Sequence, residues 1–311
     1  MKLINLNEIQ DSDIGLVGGK ALSLAKLTRF GIPVPDGFVV TTKHWNYFLD
    51  DNNLREKIEK LLSLIDLEKN NDLNDVSAKI TDLILGGSIS EDIVKEIGKA
   101  FSNLQTDFVA VRSSAVVEDG TENTWAGQFE SYLNVGEDKI IDYIKKCWAS
   151  VFSPRAIYYK IAKRGESDNW GMSVLIQKMI NSESSGVAFS VHPQTKNDKH
   201  IYIESCFGLG EALVSGAIIP DCFVVHKDTL EILNINIAQK DTELCVQIDG
   251  DTKWIDVLPE KVSTQSLSGA QLVKLVKTVK IIEEYFNAPS DIEWAYESGR
   301  LHILQSRPIT A

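Results

Sequence analysis

Asp291, Glu293, Gln305 and Arg307 are residues whose types and spacing could do chemistry together. Asp291-Ile-Glu-Trp-Ala295 and Leu301-His-Ile-Leu-Gln-Ser-Arg-Pro308 read as two short strands joined by a turn at Glu297-Ser-Gly-Arg300. Side chains alternate across a strand, so Asp291 and Glu293 share one face, and Gln305 and Arg307 do the same on theirs. A hairpin brings two carboxylates, an amide and a guanidinium onto one small surface. Such a set can hold a divalent cation and the phosphates it neutralises. The same residues also compose an ion-paired hairpin on a solvated face.

Other segments could serve an anion. Val17-Gly-Gly-Lys-Ala21 opens a helix, where backbone N–H groups and Lys20 can face a phosphate; it also reads as a plain turn, and it is not a GxxxxGK[ST] loop. Arg112-Ser-Ser-Ala115 follows a short buried strand and suits a phosphate, or a helix N-cap at Ser113 or Ser114. The Gly-, Thr- and Asn-containing stretch 118–128 fits a flap over phosphates or an ordinary surface loop. Gln177-Lys-Met-Ile180 ends a strand and fits either an adenine-binding hinge or a core strand. Ser190 lies in a strand over 186–191 and is a candidate on the phosphate side. Glu204 and Glu211 flank the turn containing Gly208 and Gly210.

The elements that must position these residues form an α+β pattern, not a regular βαβ array. Lys20–Phe30 has helical apolar spacing, and Gly37–Thr42 a strand ending in an N-cap. Residues 53–104 read as a helical insertion broken at Gly86-Gly87, and 138–164 as one or two helices. Strands follow at 173–180, 201–205 and 222–226, then a β-rich stretch to about 257 and a helix over 268–286. At 311 residues, 43% apolar and 24% charged, the chain suits two globular lobes, 1–178 and 179–311. A net charge of -12 argues against nucleic acid and anionic membrane surfaces as partners. No apolar run approaches a span of ~20 residues. The 4 cysteines form no CxxC pair, and residues 1–8 lack a signal-peptide core, so a cytoplasmic protein is expected.

Taken in order, GGKALSLAKL, GIPVPDGFVVTT, VRSSAVVED, AGQFESYLNV, CWASVFSPRAIYYK, SGVAFS, ESCFGLGEALVSGAIIPD and DIEWAY with ILQSRP resemble one known domain. It is the N-terminal nucleotide-binding domain of the phosphoenolpyruvate synthase and pyruvate phosphate dikinase family, which rifampicin phosphotransferases share. The resemblance implies an ATP-grasp fold, in which two lobes clamp ATP with Mg2+. It implies that Lys20 and Arg112 hold the phosphates under a 122–128 flap that includes Thr124, Ala126 and Gly127. It implies that Gln177, Met179 and Ile180 line the adenine pocket, and that Glu293 and Gln305 hold magnesium. Arg307 would act on the transferring phosphates, and Glu204 and Glu211 would contact ribose or metal. Trp125 departs from the Phe usual before Ala-Gly.

Relatives of this kind pass the β,γ-phosphates of ATP to a histidine in a Gly- and Thr-rich motif followed by His-Ala, leaving AMP. None of the 5 histidines here stands in such a motif. His192 and His302 lie near site strands and read as structural. The expected activity is therefore that of a phosphotransferase half, completed by a histidine-bearing domain or protein. A rifampicin-type domain, a direct small-molecule kinase and a non-catalytic nucleotide sensor are the alternatives.

Overall fold

The computed structural model describes residues 2–65, 70–115, 130–162, 170–247 and 250–309. The chain divides into two compact units, Met1–Leu22 with Asp36–Met179 and Ser23–Pro35 with Ile180–Ala311. Ser23–Pro35 group with the residues after Met179, so the division is discontinuous along the sequence. The mixture of antiparallel sheets and separate helices is α+β, as the sequence pattern predicts.

In chain order the first unit holds β1 (Ile4–Asn5), the start of α1 (Ile14–Arg29), β2 (Gly37–Val40), α2 (Thr42–Asp51), α3 (Arg55–Leu62) and α4 (Asn70–Gly86). It continues with α5 (Glu91–Asn103), β3 (Val109–Ala115), β4 (Ser131–Val135), α6 (Ile140–Ser150), α7 (Pro154–Ala162) and β5 (Met172–Lys178). The strands form one sheet in the order β1-β2-β5-β3-β4, with every pairing antiparallel. Alternation turns Phe38, Val111, Val174 and Ile176 to one face, where they join a core with Trp45, Ile80 and Trp148. Burying each such side chain contributes about 1.5–3 kcal/mol. Residues 53–104 form helices, as their spacing predicts, and α4 stops at Gly86. They are no appendage, because Ile58, Ile80, Ile97 and Phe101 enter the same core as the sheet.

One local expectation changes. Arg112, Ser113 and Ser114 lie inside β3, so neither serine caps a helix. The helix expected from Lys20 forms within α1, and Gly18, at φ 75° and ψ 169°, interrupts the helical backbone just before it.

The second unit holds β6 (Ser184–Phe189), β7 (His200–Phe207), α8 (Glu211–Val214), β8 (Asp221–His226), β9 (Ile232–Asn236), β10 (Thr242–Val246) and β11 (Thr252–Asp256). It ends with α9 (Gly269–Phe286), β12 (Ser290–Glu297) and β13 (Arg300–Pro308). Six strands form an antiparallel sheet in the order β13-β12-β6-β7-β8-β9, and β10 and β11 pair separately. Ser298 and Gly299, at φ 49° and 71°, make the β12–β13 turn, the positive-φ geometry of tight hairpins. Ser268 opens α9 as a capping box: its Oγ accepts from Gln271 N at 3.3 Å, and Ser268 N donates to Gln271 Oε1 at 2.8 Å. The apolar stripe of α9, including Leu275, Val276 and Val279, covers Ile203, Phe223, Ile292 and Ile303 on one sheet face.

Asp221, from the Ile-Pro-Asp end of the 204–221 segment, is fully buried on that core side. Its Oδ1 accepts from Lys240 Nζ at 2.5 Å and Ala238 N at 3.0 Å. Its Oδ2 accepts from Ser266 N and Oγ, each at 2.7 Å. Breaking such a pair by removing one partner costs about 3–5 kcal/mol, because the other charge stays buried. Asp221→Ala is expected to lower unfolding stability by about that much in a urea titration. A loss within about 0.5 kcal/mol, the range of ordinary surface substitutions, would show that the pair is not a structural anchor.

Candidate functional site

In the first unit the sheet face opposite the main core carries Arg112 and Ser114 on β3 and Ser173, Leu175 and Gln177 on β5. The antiparallel register fixes this: Arg112 pairs with Leu175, Ser114 with Ser173 and Ala110 with Gln177. The Val17–Ala21 segment is stapled to these strands. Ser114 Oγ donates to Val17 O at 2.8 Å and accepts from Ala21 N at 3.2 Å. Ser173 Oγ lies 2.6 Å from both Val17 O and Ser114 O. A Cβ on Gly18 would sit 2.3 Å from Ser114 O, so the close approach and the backbone angle both require glycine.

The staple brings Lys20 to β3, where its Nζ donates to Ser113 O at 2.9 Å. Lys20 and Arg112 are 8% and 7% exposed. Two cations are thus held out of bulk water, where charge is felt more strongly. Arg112 Nη1 makes a long contact, 3.5 Å, to Gln177 Oε1. The structure brings Arg112 and Gln177 together and holds Lys20 on the backbone of the residue next to Arg112. Met179 closes the unit, its N–H donating to Phe108 O at 3.1 Å. Lys178 N donates to Asp36 O at 2.8 Å. Those two N–H groups are engaged within the protein, which narrows what the strand end offers a base edge. Ile180 begins the second unit.

In the second unit the register places side chains in rows across the outward sheet face. Glu204 pairs with Val187, Val187 with Glu293 and Glu293 with Gln305. In the next row Tyr202 pairs with Phe189, Phe189 with Asp291 and Asp291 with Arg307. A β-bulge makes this possible: Trp294 pairs with Ile303 but Glu293 with Gln305, leaving Leu304 as the extra residue. Arg307 Nε and Nη2 both reach Asp291 Oδ2, at 2.8 and 2.7 Å. Burial pushes the Asp291 carboxyl above its ordinary value, against the pull of Arg307. Asp291 is thus the residue that orients Arg307.

Glu211 stands apart from these rows, exposed at the start of α8. Ser190 is not on the phosphate side. It shares the core face with Ala188, is fully buried, and donates to Glu283 Oε1 at 2.9 Å, a carboxylate also held by Lys227 at 2.6 Å. His302 shares the outward face, paired with Ala295. The His192 ring lies 5.1 Å from that of Tyr202. The flap residues Thr124, Ala126 and Gly127 lie outside the described residues.

The chain belongs to the family of the pyruvate phosphate dikinase AMP/ATP-binding domain, whose family model matches residues 14–311. A probable phosphoenolpyruvate synthase of Archaeoglobus fulgidus is 42% identical over 316 residues, covering 100% of this chain and 42% of that protein. The phosphoenolpyruvate synthase of Pyrococcus furiosus is 36% identical, covering 97% of this chain and 43% of that one. The rifampicin phosphotransferase of Bacillus subtilis is 35% identical, covering 99% and 36%. The chain thus spans less than half the length of these relatives. Among solved structures, D-alanyl-alanine synthetase A of Vibrio cholerae aligns over 70% of this chain and 47% of that one. It does so at 12% identity with a TM-score of 0.29, a level from which no parallel follows.

The staple is open to a direct test. The conformation of Gly18 is one that other residues adopt at a cost of about 1–3 kcal/mol, and the clash is with backbone. Gly18→Ala is expected to lower stability by at least that amount in denaturant unfolding, whereas Gly15→Ala, with nothing near its Cβ, is expected to change it little. Equal effects of the two substitutions would contradict the staple.

Proposed function

We propose that this chain binds Mg-ATP through an ATP-grasp arrangement and supplies ATP phosphate to a histidine on a further domain or partner, with release of AMP. The observation that carries the reading is the pairing of Glu293 with Gln305 beside Asp291 with Arg307 on one outward sheet face. It is supported by the buried Lys20 and Arg112 cations of the first unit and by membership of an AMP/ATP-binding family.

The residues fit magnesium. Glu293 and Gln305 offer one carboxylate and one amide oxygen, both half-buried. Mg2+ is commonly bound by one or two carboxylates together with substrate phosphates and water. Among the described residues no three His, Cys, Asp or Glu side chains converge as a metal cage, so the other ligands would come from the nucleotide and water. When bound, the ion neutralises phosphate charge. Lys20 and Arg112 hold phosphate oxygens, and Gln177, Met179 and Ile180 border the base. Arg307, held by Asp291, meets charge that grows as the phosphates transfer. A histidine nitrogen–phosphorus bond forms at the β-phosphate, and the bond to the bridging α,β-oxygen breaks. AMP leaves with that electron pair. The chain's contribution is position and charge, not covalent chemistry.

We read the final acceptor as that of a phosphoenolpyruvate synthase-like enzyme, since that relative reaches 42% identity against 35% for the rifampicin phosphotransferase. A rifampicin-type acceptor is the second reading. A cytoplasmic setting accords with the Mg-ATP requirement and with 4 free cysteines.

Calorimetry is expected to detect Mg-ATP binding, stronger than Mg-GTP. With a histidine-bearing partner present, AMP is the expected nucleotide product. Arg307→Ala is expected to cut the rate of AMP formation by about 100-fold or more while changing ATP affinity little. Glu293→Ala should raise the magnesium concentration needed. No binding of any adenine nucleotide at millimolar concentration would overturn the proposal. ADP as sole product would favour a direct kinase, and binding without turnover a sensor.

A further inference from the structure

His44 is fully buried in the first turn of α2. Thr41 precedes the helix in extended backbone, and the two residues close a capping box. Thr41 N donates to His44 Nδ1 at 3.1 Å, and Thr41 Oγ1 lies 3.0 Å from the same nitrogen. A backbone N–H can only donate, so this pattern assigns the ring proton to Nε2 and leaves Nδ1 as the bare acceptor of a neutral imidazole. Among the described residues Nε2 has no hydrogen-bond partner. It lies 3.9 Å from Glu96 Oε2 on α5. The other oxygen of Glu96 accepts from Leu3 N at 3.0 Å.

A second proton can enter this ring only at Nδ1. Thr41 Oγ1 can accept it there, but the buried Thr41 N–H then loses its acceptor, which is costly away from water. Two charged groups face the ring: Glu96 favours an imidazolium, and the amino terminus opposes it. Burial outweighs Glu96 and holds the imidazole below its ordinary value. The unfolded chain therefore binds this proton more readily than the folded one. The stability that the neutral ring contributes is complete above the ordinary histidine value, about 6.5, and is lost as pH falls below it.

The cap is joined to the segment that carries Lys20. Thr42, the first residue of α2, donates from Oγ1 to Gly15 O at 2.9 Å. Gly15 lies at the start of α1, just ahead of the Val17–Ala21 stretch that Ser114 and Ser173 hold to the sheet. Cap, link and Lys20 all belong to the first unit.

We propose that His44 is an acid-sensitive latch: its neutral ring closes the first turn of α2 and, through Thr42, steadies the segment that carries Lys20, so that acid loosens that segment. The consequence for nucleotide rests on the ATP-binding reading above.

Hydrogen exchange of the full chain, corrected for the intrinsic effect of pH, tests the latch at about pH 7.5 and about pH 5.5, on either side of the ordinary histidine value. Wild type is expected to lose about threefold to tenfold of its protection over 15–22 and 41–48 at the lower pH, since one linked proton supplies at most about tenfold per pH unit. His44→Gln gives the box its ordinary acceptor and does not titrate, so its loss is expected to stay within about twofold. Mg-ATP affinity, by calorimetry at the same two pH values, is expected to fall about threefold more in wild type than in His44→Gln. Thr42→Val should leave the acid response of 41–48 and remove that of 15–22. If His44→Gln does not fold, Glu96→Gln decides: without the facing carboxylate the response should move to lower pH, and an unmoved response would overturn the latch. An equal response in wild type and His44→Gln would overturn it too. A response confined to 41–48 in wild type would overturn the link to Lys20. If no adenine nucleotide binds at either pH, the function reading falls, and the exchange comparison still decides the latch.

Discussion

The arrangement of polar side chains in the second unit depends on the register of one antiparallel pair. β12 and β13 must put Glu293 opposite Gln305 and Asp291 opposite Arg307, and must also bury Ile303 and Ser306 on the side of α9. Strict alternation cannot satisfy both, because 303 and 306 differ by an odd number. The bulge at Leu304 resolves the conflict by inserting one residue. Without it, one half of β13 would turn its polar residues inward. A one-residue slip in a half-buried strand carries a cost at every position along it.

The first unit solves a different problem, which is to keep two cations out of water. Lys20 and Arg112 come from segments far apart in sequence. The Val17–Ala21 segment is held to β3 by Ser114 and Ser173, and Gly18 lets the backbones approach. Ser113 O then accepts from the Lys20 ammonium. Of the two hydroxyls read as caps, Ser114 fastens the Val17–Ala21 segment and Ser113 donates to Glu130 O at 2.9 Å.

Much of this was legible in the sequence because it rests on local rules. The terminal hairpin, its turn, α9 and the helical character of 53–104 follow from alternation, turn residues and apolar spacing. Arg307 and Glu293 stood out because charges among apolar strand residues are conspicuous. What was not legible depends on which face a strand buries and where its ends fall. Ser190 looks like a phosphate-side residue of a strand, but it keeps the parity of Ala188 and so faces α9. Ser113 and Ser114 look like caps only if β3 stops at Val111, and it runs on to Ala115.

The second unit also separates structural charges from functional ones by a physical criterion, not by residue type. Asp221 with Lys240, and Glu283 with Lys227 and Ser190, are charged clusters as conspicuous as Asp291 with Arg307. The first two belong to the side of the sheet that α9 covers. There a charge is tolerable only when its partners are complete, and Asp221 is fully provided for by four donors. Asp291 and Arg307 lie on the outward face, with the Arg307 side chain 37% exposed and Asp291 12%. A guanidinium oriented by a carboxylate and still partly exposed can meet an anion. Tyr202 and Glu204 make a similar contact, a half-buried hydroxyl donating to one carboxylate oxygen on the outward face. In each case the orienting partner is more deeply placed or less able to ionise than the residue it orients. The oriented group thus keeps both its charge and its exposure, which fully enclosed ion pairs do not.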